Sequence, residues 1–301
     1  MGVVITGTAT SRPTNPGSHG ARRLADIAAR HCLDDAGRSA GEVDMLVNAG
    51  VYRERGLGEP ALAALIQEDV DLNAQPRDNA HGTFSFDIDN GACGFLTAVD
   101  LLRGFLLANA IDLGMAVASD SPPGPLHTRG FPYAEAGGAA LLARDDTAEG
   151  FVDLRFVTFP EYAGLLEGVW EWRPRRRIRP GGAPGSNRLA VLERPAFRDR
   201  AVDCAYDVTH AFLDASGVTP RDVDLLVAAP EPRFADPLAT RLGIDENRVV
   251  HLGEQLGRAH TAAPVAAIDV ARRQGRWQDA HTVLVVAAGS GITVATALYR
   301  H

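Results

Sequence analysis

Leu33-Asp34-Asp35-Ala36-Gly37 runs on to Glu42-Val43-Asp44-Met45-Leu46-Val47, and Leu213-Asp214-Ala215-Ser216-Gly217 runs on to Asp222-Val223-Asp224-Leu225-Leu226-Val227. The two stretches stay in step, without a gap, at a constant offset of 180 residues (Asp44 to Asp224). Each reads as a helix closing on glycine, a short loop and a buried strand. The helices leading in share a period as well, with Leu24, Ile27 and Ala28 in one and Val202, Ala205 and Val208 in the other. Self-similarity of this kind marks an internal repeat.

A second pairing extends the repeat. Gly94-Phe95-Leu96-Thr97-Ala98-Val99-Asp100-Leu101 opens a long apolar helix before the strand Gly114–Ser119. Ala263-Pro264-Val265-Ala266-Ala267-Ile268-Asp269-Val270 opens another before the strand Thr282–Ala287. An all-apolar strand is covered on both faces. One more small-residue strand follows each, near Gly137–Leu142 and near Gly291–Leu298. The expected fold is α/β, with two pseudo-symmetric halves (residues 1–150 and 151–301), each with a mostly parallel sheet. Residues 151–187 have no counterpart and carry the Gly/Pro/Arg-rich loop Arg173 to Ser186. They read as a connecting, substrate-facing excursion.

The chain has 301 residues, 46% of them hydrophobic, and a formal charge of -8, which disfavours a basic nucleic-acid binder. Three cysteines are too few and too scattered for a disulfide scaffold, and nothing has zinc-ligand spacing. No apolar run approaches the roughly 20 residues that span a bilayer. A cytoplasmic protein without metal, nucleic acid or membrane partner is expected.

Two related halves bring their central helix starts to one cleft. Cys93, in Asn90-Gly91-Ala92-Cys93-Gly94-Phe95, opens the first of these helices. A thiol there feels the positive helix end, which lowers its pKa below the roughly 8.5 of free cysteine. Its own N–H is placed to act as an oxyanion donor, and the sulfur to form a thioester. The competing reading is a small inert core cysteine, which is how Cys32 and Cys204 read. His260, just before the second helix, is a candidate base or a satisfied buried histidine. Ala288-Gly289-Ser290-Gly291 after the strand Val283–Val286 either aims backbone N–H groups, that of Ser290 included, into the site or makes a tight hairpin turn.

Phe86-Asp87-Ile88 through Cys93-Gly94-Phe95, with Leu242-Gly243-Ile244, Gly275-Arg276 and Val283 to Arg300, resembles the thiolase superfamily, and within it the ketoacyl-ACP synthase III-like condensing enzymes. The resemblance covers nearly the whole chain. It implies a five-layered α-β-α-β-α fold, usually a homodimer. The implied activity is acyl transfer from acyl-CoA or acyl-ACP (acyl carrier protein) onto the cysteine and then to an acceptor, with no bound cofactor. A heterodimer with a homologous subunit fits the sequence equally.

The sequence departs from the family in three places. Where the family has a His-Gln-Ala-Asn stretch after a strand, this chain has Ala228-Ala229-Pro230-Glu231-Pro232. Its Gly-Asn motif appears as Gly257-Arg258. Counted from Phe86 without a gap, Ala92 takes the cysteine's place and Cys93 falls one later, so either the turn is remodelled or the nucleophile is lost. Leu57-Gly58-Glu59-Pro60 resembles a Leu-Glu-Pro stretch whose glutamate acts as a base. Glu59 is therefore a candidate base, or a cap on a helix beginning at Pro60. Trp172 and the basic run with Arg175, Arg176 and Arg177, joined by Arg258, are candidates for meeting the phosphates of coenzyme A or an acidic carrier protein. The expected function is a specialised acyltransferase with Cys93 acylated and His260 as base. The rival is a non-catalytic subunit of the same fold that supports an active partner.

Overall fold

The computed structural model describes residues 2–56, 58–72, 82–124, 131–174, 185–229, 232–253 and 256–301. Within them the N-terminal half runs β1 (Gly2–Ser11), α1 (Ala21–Ala36), β2 (Met45–Asn48), α2 (Leu62–Val70), β3 (Phe84–Asp87), α3 (Gly94–Leu107), β4 (Leu113–Asp120) and β5 (Ala136–Asp145). The remainder runs β6 (Gly150–Thr158), β7 (Leu166–Pro174), β8 (Gly185–Glu193), α4 (Phe197–Ala215), β9 (Leu225–Ala229), α5 (Pro232–Leu242), α6 (Ala263–Arg273), α7 (Arg276–Asp279), β10 (Thr282–Gly289) and β11 (Thr293–Arg300).

The repeat is visible at atomic detail. Helix α1 stops at Gly37, whose φ of 63° is the left-handed value glycine adopts freely, and α4 is followed by Gly217 at 65°. A capping box follows each, Ser39 with Glu42 and Thr219 with Asp222. The next aspartate then ties the half together. Asp44 Oδ2 accepts the N–H groups of Asp112 (2.8 Å) and Leu113 (3.0 Å) at the entry to β4. Asp224 Oδ2 accepts those of His281 and Thr282, both at 3.0 Å, at the entry to β10.

Strand residues alternate between two interiors because successive side chains point to opposite faces. Leu46, Met115 and Val117 face α1 and α2. Val47 and Ala116 face the centre, where Phe95, Val99 and Leu102 of α3 meet Val265, Ile268 and Ala271 of α6. In the second half Val227 and Val285 share that centre, while Leu226, Leu284 and Val286 face α4 and α5. The layers are therefore helix, sheet, helix, sheet, helix. Gly138 of β5 is one requirement of the central layer, since a Cβ there would lie 2.2 Å from Val265 Cγ1.

Two expectations need correction. The sheets are mixed and not mostly parallel: β1-β5-β4-β2-β3 has parallel pairing only around β2, and β6-β11-β10-β9 only between β10 and β9. The cause is that β5 and β11 pair antiparallel with the strands that precede them, β4 and β10. The excursion is also shorter than residues 151–187. Residues 150–158 form β6, which pairs with β11 as β1 pairs with β5. What lies outside the repeat is the β7–β8 ribbon, which lays Trp170 against Gly56 and Gly168 against the Tyr52 hydroxyl.

Candidate active site

Strand β3 delivers the chain to the head of α3 through Asp89, Asn90 and Gly91, the last at φ 49°. A short 3-10 turn, Gly91–Cys93, precedes the helix, and it sets the side-chain directions. Each helical residue rotates about 100°, so neighbours cannot share a face. Ala92 borders the cavity. Cys93 turns into the central core, fully buried, with Sγ 3.3 Å from the Thr293 carbonyl and 3.5 Å from that of Ala287. Burial pushes the thiol up to about 12, despite partial relief from backbone hydrogen bonding. Its N–H donates to the Asn90 carbonyl at 3.0 Å. Both expectations for Cys93, exposed low-pKa nucleophile and oxyanion donor, are overturned. The thiol is a core side chain, like Cys32 and Cys204.

His260 is where the sequence places it, at the head of α6, and 5% exposed. Its Nδ1 lies 3.4 Å from Oδ2 of Asp120, a charge contact longer than a good hydrogen bond. Asp120 ends β4 and belongs to the other half. Its Oδ1 accepts the N–H groups of Val51 (3.1 Å) and Tyr52 (2.7 Å). Oδ2 accepts the N–H (2.9 Å) and Oγ1 (2.6 Å) of Thr261. Burial alone would raise this carboxyl, but His260, Thr261 and Tyr52 outweigh it and hold it below the ordinary aspartate value. The imidazole stacks on Tyr133 at 4.3 Å between ring centroids and lies 5.4 Å from the Tyr52 ring. Sequence reasoning missed Asp120. The available signal was a carboxylate at the end of an all-buried strand, a charge that requires partners.

His260 Nε2 takes no hydrogen bond among the described residues. A Cβ built on Gly91 would lie 3.8 Å from it and 3.7 Å from Ser290 Oγ. Two cavities meet at His260, Tyr133 and Leu166. One, of about 320 Å³, is polar and lined by Tyr52, Asp89, Asn90 and Ser290. The other is mainly apolar, with Ala92, Phe197, Phe234 and Ala288, and carries Arg198, Arg233 and Arg258. Arg258 was expected from the sequence; Arg198, paired with Glu193 at 2.7 Å, and Arg233 were not.

Glu59 is exposed and borders neither cavity, so the structure does not support it as a base of this site. It does not cap α2 either, because that helix begins at Leu62 and its first N–H groups, from Leu62 and Ala63, are taken by Asp87 at 2.8 Å each. Trp172 stands 58% exposed on β7, and Arg175, Arg176 and Arg177 lie outside the described residues. Among the described residues no cluster of three metal-ligating side chains occurs, and no helix is long and apolar enough to cross a membrane.

Known proteins share this fold. The family model for the 3-oxoacyl-[acyl-carrier-protein] synthase III C-terminal domain matches residues 213–301, which include His260 and the β10–β11 turn. Beta-ketoacyl-[acyl-carrier-protein] synthase III of Desulfotalea psychrophila is 24% identical over 300 residues, covering 98% of this chain and 89% of the relative. Over nearly its whole length, this chain is similar to ketoacyl synthase III enzymes. The fold of this chain matches the crystal structure of 3-oxoacyl-[acyl-carrier-protein] synthase III from Aquifex aeolicus, with a TM-score of 0.81, 19% identity and 100% of both chains covered. It also matches Xanthomonas campestris OleA crystallised with lauric acid and lauroyl-CoA, with a TM-score of 0.80, 16% identity, and 100% and 99% of the two chains covered.

Proposed function

We propose that this chain transfers an acyl group from an acyl-CoA or acyl-ACP thioester to a carbon, oxygen or nitrogen acceptor, with the His260–Asp120 pair as its proton-handling centre. The observation that carries the reading is the state of the imidazole. Nδ1 faces a saturated carboxylate, while Nε2 is free toward the space at Gly91. A histidine so oriented takes a proton through Nε2 and is stabilised when charged by Asp120 behind it. Ala92 stands at the place where the family carries its cysteine, so the thioester is not passed to Cys93.

In the reaction, the attacking group gives its proton to His260 Nε2 as it bonds to the thioester carbonyl carbon. The N–H groups of Ala92 and Ser290, which have no hydrogen-bond partner among the described residues, support the developing oxyanion. The C–S bond then breaks, and the departing thiolate takes the proton from His260. Arg198, Arg233 and Arg258 suit the phosphates of coenzyme A or the phosphopantetheine of a carrier protein. The reading involves no metal and no bound cofactor, and it places the protein in the cytoplasm.

The test is release of free thiol from a panel of acyl-CoAs, with water or hydroxylamine as acceptor. Wild type is expected to release thiol, and His260→Ala to lose about 10²–10⁴-fold of that rate. Equal rates in the two proteins overturn the reading. Saturable acyl-CoA binding with no release from any donor would support the non-catalytic subunit instead.

A further inference from the structure

We infer that Ser290 carries the acyl group in this site, forming with His260 and Asp120 a serine–histidine–aspartate triad; this rests on the acyl-transfer reading above. Ser290 sits in the turn between β10 and β11, exposed, on the wall of the polar cavity that His260 also borders. Oγ and Nε2 point toward one place, being 3.7 Å and 3.8 Å from the position a Gly91 Cβ would take. Their separation is therefore no more than the sum of those distances. The serine χ1 has three staggered wells, and contacts between nucleophile and base are commonly loose before substrate arrives. Gly91 keeps open the volume between them, where a thioester carbonyl has room.

The other candidate nucleophiles are accounted for. Cys93 is enclosed by Ala287 and Thr293. Thr293 Oγ1 is paired with Thr158 Oγ1 at 3.0 Å. The Tyr52 hydroxyl is pushed up to about 12 by burial, and that of Tyr133 is raised from the same first cause. The Ser290 hydroxyl has no hydrogen-bond partner among the described residues, and it lines the same cavity as a histidine already backed by a carboxylate. A triad is defined by such roles and not by chain order, which here runs aspartate, histidine, serine.

The chemistry balances within these groups. Ser290 Oγ gives its proton to His260 Nε2 and bonds to the thioester carbonyl carbon. The C–S bond breaks, and the thiolate leaves with that proton, giving an oxygen ester on Ser290. The acceptor then gives its own proton to Nε2 and attacks the ester, and the Ser290 oxygen recovers the proton.

The experiment is intact-mass measurement after acid quench of protein mixed with octanoyl-CoA, together with labelling by a fluorophosphonate probe. The expected result is one octanoyl group on wild type and on Cys93→Ser, resistant to neutral hydroxylamine, and none on Ser290→Ala. Fluorophosphonate labelling should follow the same pattern and also fall in His260→Ala. An adduct that persists in Ser290→Ala, or one that hydroxylamine removes and Cys93→Ser lacks, overturns the assignment. Undiminished thiol release by Ser290→Ala overturns it while leaving the His260–Asp120 reading intact. Absence of both thiol release and probe labelling in wild type overturns both, whereas labelling lost in Ser290→Ala without thiol release supports the triad and removes acyl-CoA as its donor.

Discussion

His260 Nδ1 and Asp120 Oδ2 stand 3.4 Å apart across the seam between the two halves of the molecule. The histidine comes from the head of α6 and the carboxylate from the end of β4, so neither half holds the pair alone. Asp120→Asn keeps the shape but removes the charge that stabilises a protonated imidazole. We expect it to lower turnover by about 10²-fold, with a smaller change in KM. Steady-state kinetics decide the matter, and an unchanged turnover would mean that the contact is structural.

The same carboxylate makes stability depend on acidity. Its folded-state pKa is depressed, so its contribution is present above the unfolded value of about 3.9 and is lost as pH falls through the lower folded value. Asp120→Asn should therefore melt below wild type at pH 7, with the gap closing as pH drops below about 4. Calorimetric scans over pH 3 to 7 measure this, and a gap that is constant or widens toward acid contradicts it.

Thiol chemistry checks the orientation of Cys93. Burial raises the pKa values of all three thiols, to about 12 for Cys93 and about 11 for Cys204, with Cys32 also raised. Native protein at pH 8 should react with a disulfide reagent at a small fraction of the rate of the unfolded chain, because the thiolate is the attacking form. Cys93→Ala should retain acyl transfer. Rapid stoichiometric labelling of Cys93 in the native state would refute the buried placement.

How far this site could be read from the sequence depended on what each signal encodes. Strand and helix periodicity encodes burial, and so the repeat around Asp44 and Asp224 and the position of His260 before a buried helix were legible, while the layered order came from the family resemblance. Pairing direction was not, because an all-apolar strand such as β4 or β10 looks the same whether its neighbour is parallel or antiparallel. The direction of Cys93 turned on a single helical step, which a glycine-rich turn leaves open. Asp120 escaped notice because its partners, Tyr52 and Thr261, are 68 and 141 residues away in the chain. The base role of Glu59 rested on likeness alone, and its place in space did not follow.

Duplication makes a quantitative prediction about Asp44 and Asp224. Each bridges two backbone N–H groups at the entry to a central strand, and removing either leaves two donors without their acceptor. Asp44→Ala and Asp224→Ala should each destabilise by about 1–3 kcal/mol. Because the sites lie in different halves, their effects should add within about 0.5 kcal/mol. Urea unfolding of the single and double variants provides the numbers. Strong non-additivity would argue that the two halves share these contacts in one unit.

The first sheet ends on β3. Strand β3 ends the order β1-β5-β4-β2-β3, so its outer backbone groups have no strand beside them among the described residues. Phe84 on that strand is 60% exposed, and Leu101 and Phe105 on α3 are more than a third exposed. An edge strand with a bare aromatic is a template for pairing unless something covers it. The expected occupant is a second copy of this chain, whose β3 would pair with β3 and extend the sheet. We expect light scattering to give twice the monomer mass for wild type and the monomer mass for Phe84→Lys, whose charge cannot be buried at such a seam. If Phe84→Lys keeps the doubled mass, association is through another face; if wild type is monomeric, the edge stays open in solution and some other partner is required to cover it.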